Sequence, residues 1–175
     1  MKLTPVMQRY IVHWGEMGSR WGVNRSVAQI HALLYLSPEA LHADEIAETL
    51  GIARSNVSVG LKELLAWDLV HVTHTLGDRR DFFTAQHDPW EVIRAIIEGR
   101  KRREIDPTVT FLKGCADELE KVDDQTPPLV RERILGQLEF IETLTGWYDS
   151  IKGMPRRTLL KLMRLGQKIA KVLGD

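Results

Sequence analysis

The sequence predicts a mainly α-helical protein with one small β hairpin. Apolar residues recur at helical spacing along most of the 175 residues, and β-rich runs occur only between about residues 40 and 85. Apolar residues make up 43% of the chain and charged residues 27%, so the chain can bury a core and is not disordered. The single cysteine, Cys115, excludes an internal disulfide and a zinc site built on paired cysteines.

Four helices are predicted ahead of the β-rich runs. Ser26 is the predicted N-cap of the second helix, which ends before Pro38 because a residue that precedes proline disfavours the α conformation. The third helix stops at Gly51, since glycine tolerates the positive φ of a helix C-terminus. The approximate bounds of the four helices are 4–20, 26–37, 43–50 and 53–65.

The first helix has two contrasting faces. One face is an apolar stripe with helical spacing, formed by Tyr10, Trp14, Met17 and Trp21. Another face carries three glycines, at which a second backbone could approach closely: Gly15, Gly18 and Gly22.

The β-rich runs predict a hairpin, and the chain beyond them is helical. Leu69–Thr73 and Asp81–Thr84 flank a turn that contains Gly77-Asp78, which is typical of a hairpin. Four later helices each begin at a proline signal, and a turn with the acidic pair Asp123-Asp124 precedes the third of them. Their approximate bounds are 88–104, 106–121, 127–150 and 155–174.

The order helix, helix, glycine turn, helix, hairpin predicts a winged helix-turn-helix followed by a helical region. We therefore expect three parts: an N-terminal helix for the core or for dimerisation, a DNA-binding winged helix-turn-helix, and a helical dimerisation region. Their predicted bounds are 1–25, 26–86 and 87–175.

The fourth helix is the predicted recognition helix. Its apolar residues share an arc of roughly 100° that faces the core, so its polar residues face outward. Short hydroxyl and amide side chains near a helix N-terminus suit a major groove, and Asn56 can form a bidentate contact with adenine. The alternative is an ordinary polar helix surface. The predicted contacts are Arg54, Ser55, Asn56, Ser58 and Lys62.

The tip of the hairpin is the predicted wing. Arg79 and Arg80 lie in a tight loop, from which an arginine can enter a minor groove or bind phosphates. Asp78 is expected to orient Arg80 through a charge-assisted pair. The alternative is a solvated turn in which the charges cancel.

Together these segments resemble the GbsR-type branch of the MarR-like winged helix-turn-helix transcriptional regulators. Asp78 and Arg80 match the Asp-x-Arg wing motif of the wider group, in which the arginine contacts DNA. The Phe-Phe-Thr-Ala sequence after the wing and the longer helical C-terminal part favour the GbsR-like branch. The resemblance implies a homodimer that represses or tunes promoters. It rests on residues 43–65, 77–83, 88–90 and 99–107.

Apolar and aromatic residues suggest where a second copy of the chain and a small effector would bind. Apolar residues near both ends are candidates for the dimer interface, or else they bury each other within one chain: the N-terminal stripe and Leu159, Leu162, Met163, Leu165 and Ile169. Several regulators of the resembled branch respond to quaternary-ammonium osmolytes, which aromatic rings hold by cation–π attraction. The stripe residues Tyr10, Trp14 and Trp21 are therefore a candidate effector pocket, with plain core or interface as the alternative.

Several function classes are not supported by the sequence. Phosphate-binding, dinucleotide-binding and nucleophile-elbow motifs are absent, so we expect no enzyme and no cofactor. The six histidines do not have metal-ligand spacing, so no metal is expected. Neither a leader nor an apolar run of about 20 residues is present, which predicts a cytoplasmic protein without membrane contact. Two rivals stay open: a winged-helix protein–protein interaction module, which zero net charge fits, and a ligand-binding helical bundle whose helix-turn-helix is vestigial.

Overall fold

The computed structural model describes residues 1–121 and 125–173, with side chains as far as residue 169. The predicted acidic turn Asp123-Asp124 and the predicted last helix end at Gly174 lie outside the described residues. The helices are α1 Pro5–Arg20, α2 Arg25–Leu36, α3 Ala43–Leu50, α4 Arg54–Ala66, α5 Pro89–Arg100, α6 Asp106–Leu119, α7 Pro128–Ile151 and α8 Arg156–Leu173. The strands are β1 Leu41–His42, β2 Val70–Thr73 and β3 Phe82–Ala85.

These elements confirm the predicted fold class, and the chain divides into two units, Met1–Ile96 and Ile97–Asp175. The domain boundaries expected after residues 25 and 86 stay a prediction. In the first unit, α1 to α4 and the sheet surround one apolar core, and the start of α5 packs against it. The largest fully buried side chains are Ile30, Leu33, Leu34, Ile46, Val57 and Val70.

The close approach predicted for the glycine face of α1 is confirmed at two of its three positions. A Cβ added at Gly18 would lie 2.5 Å from the Cβ of Ala28, and one at Gly15 would lie 2.7 Å from the Cγ of Gln29. Gly22 follows the end of α1 with a φ of 76°, and no described atom lies within 4 Å of a Cβ added there. Two small residues thus allow α1 to pack tightly on α2.

The helix-turn-helix forms where it was predicted, with one correction at α2. Gly51 ends α3 with a φ of 64°, and the backbone N–H of Gly51 donates to the carbonyls of Ala47 and Glu48. The predicted N-cap of α2, Ser26, is wrong, because Asn24 caps the helix instead. The Asn24 Oδ1 accepts a 2.8 Å hydrogen bond from the Ser26 N–H. An amide oxygen one residue before the helix reaches this otherwise unpaired N–H, so α2 begins at Arg25.

The predicted hairpin is confirmed, and a third strand joins it. The strand order is β1-β3-β2, with every pair antiparallel. Val72 pairs with Phe83 within the hairpin, and His42 pairs with Phe82 on the other edge of β3. The strand β1 was not predicted, because two residues are too few to show an alternating pattern. It attaches the hairpin to the residues that lead directly into α3.

The helix predicted to start at Asp106-Pro107 begins there, but Asp106 is not its N-cap. The chain continues from α5 through a π-helical turn, Lys101–Ile105, directly into α6. The Asp106 carboxylate accepts a 2.8 Å hydrogen bond from the Lys101 ammonium and so does not act as an N-cap. The wider π turn accommodates Pro107, which in a regular α-helix would clash with the carbonyl four residues earlier.

In the second unit, α6 packs against α7 around three buried leucines: Leu112, Leu119 and Leu138. Lys113 pairs with Glu142 at 2.8 Å, and the Tyr148 hydroxyl donates to Glu98 at 3.0 Å. Within the described ranges, no helix is both long enough and apolar enough to cross a bilayer.

Candidate nucleic-acid interface

The apolar face of α4, the predicted recognition helix, is fixed in the core, and its polar face is left exposed. Val57 is fully buried, and Leu61 and Leu64 are 3% exposed. Among the predicted DNA contacts, Ser58 is half-buried at the boundary between the two faces. The other four are exposed: Arg54, Ser55, Asn56 and Lys62.

A glycine in the middle of α4 holds the helix close to α2. A Cβ added at Gly60 would lie 2.6 Å from the Cδ1 of Ile30 and 3.7 Å from the Cα of Val27. A glycine within a helix destabilises it by about 1 kcal/mol relative to alanine. Here the close packing of α4 on α2 offsets that cost. This role was not predicted, although a glycine inside a helical pattern is a signal that the sequence offers.

In the wing, Asp78 and Arg80 form the predicted pair. The Arg80 backbone N–H donates to the Asp78 Oδ1 at 3.0 Å, and the Nε of Arg80 lies 3.0 Å from both carboxylate oxygens. The side-chain hydrogen bond from Arg80 is the largest influence on the pKa of Asp78 and lowers it to about 2. The same hydrogen bond raises the pKa of Arg80. The carboxylate stays ionised near neutral pH and fixes the direction of the guanidinium.

The cations of the site fall into two groups. Arg54 pairs with Asp44, with 2.7 Å between Nε and Oδ1, and Arg80 pairs with Asp78. Lys62 and Arg79 have no ion-pair partner among residues 1–121 and 125–169. Two cations therefore retain unneutralised charge for a polyanion, whereas the other two share theirs with a neighbouring carboxylate.

The recognition helix and the wing meet across one cleft of about 350 Å³. The structure brings four of the predicted DNA contacts to its lining, which are Arg54, Ser58, Lys62 and Arg80. The other four lie outside this lining, on the exposed part of α4 or in the wing: Ser55, Asn56, Asp78 and Arg79. Residues distant in sequence thus form one concave surface that carries polar and cationic side chains.

Two residues of this surface were not predicted from the sequence. Asp44 holds Arg54, and nothing in their ten-residue separation signals the pair. His42 caps α3, because its Nδ1 accepts from the Glu45 N–H while the Glu45 carboxylate accepts from the His42 N–H. The spacing His42-x-x-Glu45 matches a capping box with histidine in place of the usual hydroxyl residue, and was an available signal.

The aromatic stripe of α1 forms a continuous column of rings. The centroids of Tyr10 and Trp14 are 5.9 Å apart, and those of Trp14 and Trp21 are 6.1 Å apart. Trp14 is 37% exposed and Trp21 is 51% exposed. Two rings on α1 and a third at its C-cap offer a single wall, whereas a cation box needs rings on more than one side. The effector pocket therefore stays a prediction.

The apolar residues considered for dimerisation remain exposed in the single chain. On α8, Met163 is 58% exposed, Leu165 53%, Ile169 47% and Leu162 42%. Leu159 is half-buried.

Comparison with known proteins relates this site to one family. Residues 21–81 match the model of the MarR family, which spans the helix-turn-helix and most of the wing. The HTH-type transcriptional repressor GbsR of Bacillus subtilis (strain 168) is 25% identical over 134 residues, which are 75% of this chain and 74% of that protein.

A crystal structure of a transcriptional regulator has a TM-score of 0.65 to this chain at 19% identity, and supports the fold alone. The match covers 85% of this chain and 97% of that chain. The match to the family model and the similarity to GbsR confirm the prediction that the chain is not an enzyme, and they agree with the GbsR-type resemblance. The winged-helix geometry, the match of residues 21–81 to the family model and the similarity to GbsR together make this chain similar to the MarR-type transcriptional regulators.

Proposed function

We propose that this regulator binds double-stranded DNA as a homodimer and represses transcription. The recognition helix α4 enters the major groove, and the wing arginines contact the minor groove or its phosphates. The observation that carries the proposal is the cleft in which Arg54, Ser58 and Lys62 of α4 face Arg80 of the wing. Repression is supported by the relative GbsR, which is described as a repressor.

The charge distribution supports binding to the phosphate backbone. Lys62 and Arg79 carry charge that no described carboxylate neutralises, although the whole chain has zero net charge. Each phosphate that a protein neutralises releases counterions and contributes about 0.9 to the slope of log K against log salt. The local charge of the cleft, rather than the total charge, is therefore the quantity that matters for DNA.

The homodimer is supported by symmetry and by exposed apolar surface. One helix and one wing bind weakly, whereas two copies that bind half-sites about one helical turn apart gain affinity and specificity. The exposed apolar residues of α8 are the surface that we assign to this contact. A cytoplasmic location belongs to the same proposal, since a regulator shares a compartment with its DNA.

We assign the aromatic column Tyr10, Trp14 and Trp21 as one wall of an effector site for a quaternary ammonium compound. Its rings are in contact and partly exposed, so a second wall from another element would complete a box. Trp14→Leu is expected to abolish any release of DNA by such a compound and to leave DNA binding in its absence unchanged. Release that persists in Trp14→Leu would remove the column from the effector site.

Fluorescence anisotropy on a duplex selected from a random pool tests DNA binding. Salt is varied from about 50 to 200 mM, the range over which phosphate contacts weaken most clearly. Arg79→Ala should weaken binding and reduce the salt slope by about 1, whereas the exposed Arg133→Ala on α7 serves as a matched control and should change neither.

Equal slopes for both variants would exclude Arg79 from the interface. Failure of the folded wild type to bind any duplex at low salt would favour the protein–protein interaction module instead.

A further inference from the structure

We infer that Phe82 and His42 are positioning residues for the wing arginine Arg80, and that they link its guanidinium to the start of α3. The inference rests on the proposed function, because it concerns how the same DNA-binding surface is held in place. Neither residue is required to touch DNA. Their role is to fix the direction of a side chain that does.

The guanidinium of Arg80 is restrained on two sides. Asp78 binds its edge through hydrogen bonds to Nε and to a terminal nitrogen. The Cζ of Arg80 lies 5.4 Å from the centroid of the Phe82 ring, within the range of a cation–π contact. An arginine held at both edge and face loses less conformational freedom when it binds a phosphate or a groove.

Phe82 is available for this role because of the alternation of side chains along β3. Its neighbour Phe83 is 8% exposed and belongs to the hydrophobic core. Successive residues of a strand point to opposite faces, so the half-buried Phe82 points away from that core. Its ring contacts Arg80 and His42 instead.

His42 contacts the Phe82 ring and connects it to α3. Its imidazole meets the Phe82 ring edge-on, with 5.7 Å between centroids and 81° between planes. The two residues are also paired in the register of β1 and β3. The capping box with Glu45 fixes the imidazole to the first turn of α3, so the contacts run without a break from α3 to Arg80.

Three substitutions separate positioning from a merely structural role. His42→Asn keeps a good N-cap residue and removes the ring, whereas His42→Phe keeps a ring and removes the cap. Phe82→Leu keeps apolar bulk and removes the aromatic face. Each is compared alone and together with Arg80→Ala by anisotropy on the selected duplex, and thermal unfolding reports the stability of each variant.

We expect His42→Asn and Phe82→Leu each to weaken DNA binding about fivefold, the size of effect that one aromatic or cation–π contact produces. In the Arg80→Ala background the same changes should alter binding less than twofold, because no guanidinium remains to be positioned. His42→Phe should lower the unfolding temperature and leave binding within twofold of the wild type. Equal losses in both backgrounds, or no loss from either ring deletion, would overturn the inference.

A second measurement needs no DNA. The Nε–H group of Arg80 gives an NMR signal whose order parameter reports how far the guanidinium is restrained, and Arg79 supplies an internal reference. Phe82→Leu should lower the order parameter at Arg80 and leave Arg79 unchanged. An unchanged Arg80 signal contradicts the inference even if DNA binding is intact, whereas wild-type protein that binds no duplex contradicts the proposed function.

Discussion

Gly18→Ala tests whether α1 and α2 are held at the close approach that the glycine face allows. The new Cβ would lie 2.5 Å from the Cβ of Ala28, and unstrained carbon–carbon contacts are about 3.5–4.0 Å. The Ala28 Cβ is fixed to its backbone and cannot rotate away, so the two helices must separate by about 1 Å.

Two opposing contributions determine how Gly18→Ala changes the free energy of unfolding. Overpacking of a well-packed contact costs about 1–3 kcal/mol. Replacement of glycine by alanine inside a helix stabilises it by about 1 kcal/mol. Gly136→Ala in α7 is a matched control. Only the stabilisation by alanine is expected there, because no described atom lies within 4 Å of a Cβ added at Gly136. The free energy of unfolding of the two variants should differ by about 1–3 kcal/mol, with Gly18→Ala the less stable.

Urea unfolding followed by circular dichroism measures this difference, at one protein concentration because association would shift apparent stability. A second substitution sharpens the test. Ala28→Gly removes the atom that clashes, so the double variant should recover the overpacking cost as a coupling energy between the two sites. Equal stability of Gly18→Ala and Gly136→Ala, with no coupling to Ala28→Gly, would refute the close packing of α1 on α2.

Burial, reinforced by the charge of His87, lowers the pKa of His31 to about 4, so the unfolded chain binds the proton first as the pH falls below 6.5. The free energy of unfolding should therefore fall by up to about 3 kcal/mol between pH 6.5 and 4. Urea unfolding of His31→Gln over the same pH range should lack this fall. Asn56→Ala should reduce the preference for the selected duplex over a scrambled one by about 1–3 kcal/mol in anisotropy, and equal losses on both would make Asn56 a backbone contact. Gly51→Ala should lower the free energy of unfolding by about 1–2 kcal/mol in urea, because alanine is strained at a φ of 64°, and an unchanged midpoint would contradict that reading.

Local signals in the sequence were sufficient for most of the fold. Gly51 requires a positive φ, and Asp88 caps the helix after the hairpin through a 2.9 Å hydrogen bond from the Trp90 N–H. The Asp78–Arg80 pair was also predictable, because two residues separated by one position in a turn meet without help from the rest of the fold. In each case the interaction lies within a few residues along the chain.

The features that were not predicted depend on competition between neighbouring residues for one role, or on contacts between residues that are distant in sequence. Asn24 and Ser26 are both good capping residues, and only the structure shows which one reaches the N–H group. The α6 helix begins at Asp106-Pro107 as predicted, but the Asp106 carboxylate pairs with Lys101 instead of capping the helix, and a π-helical turn leads into it. The pairing of Arg54 with Asp44 depends on how two helices meet, which spacing along the chain does not reveal.

Selection of tight-binding duplexes from a random pool tests the central claim most directly, because it assumes no operator. A homodimer that places α4 in the major groove should enrich a sequence with two-fold symmetry, its half-site centres about 10 base pairs or a multiple of that apart. Enriched duplexes should bind at least about a thousandfold more tightly than scrambled ones. A pool that remains random after repeated rounds with folded protein would contradict sequence-specific DNA binding by this chain.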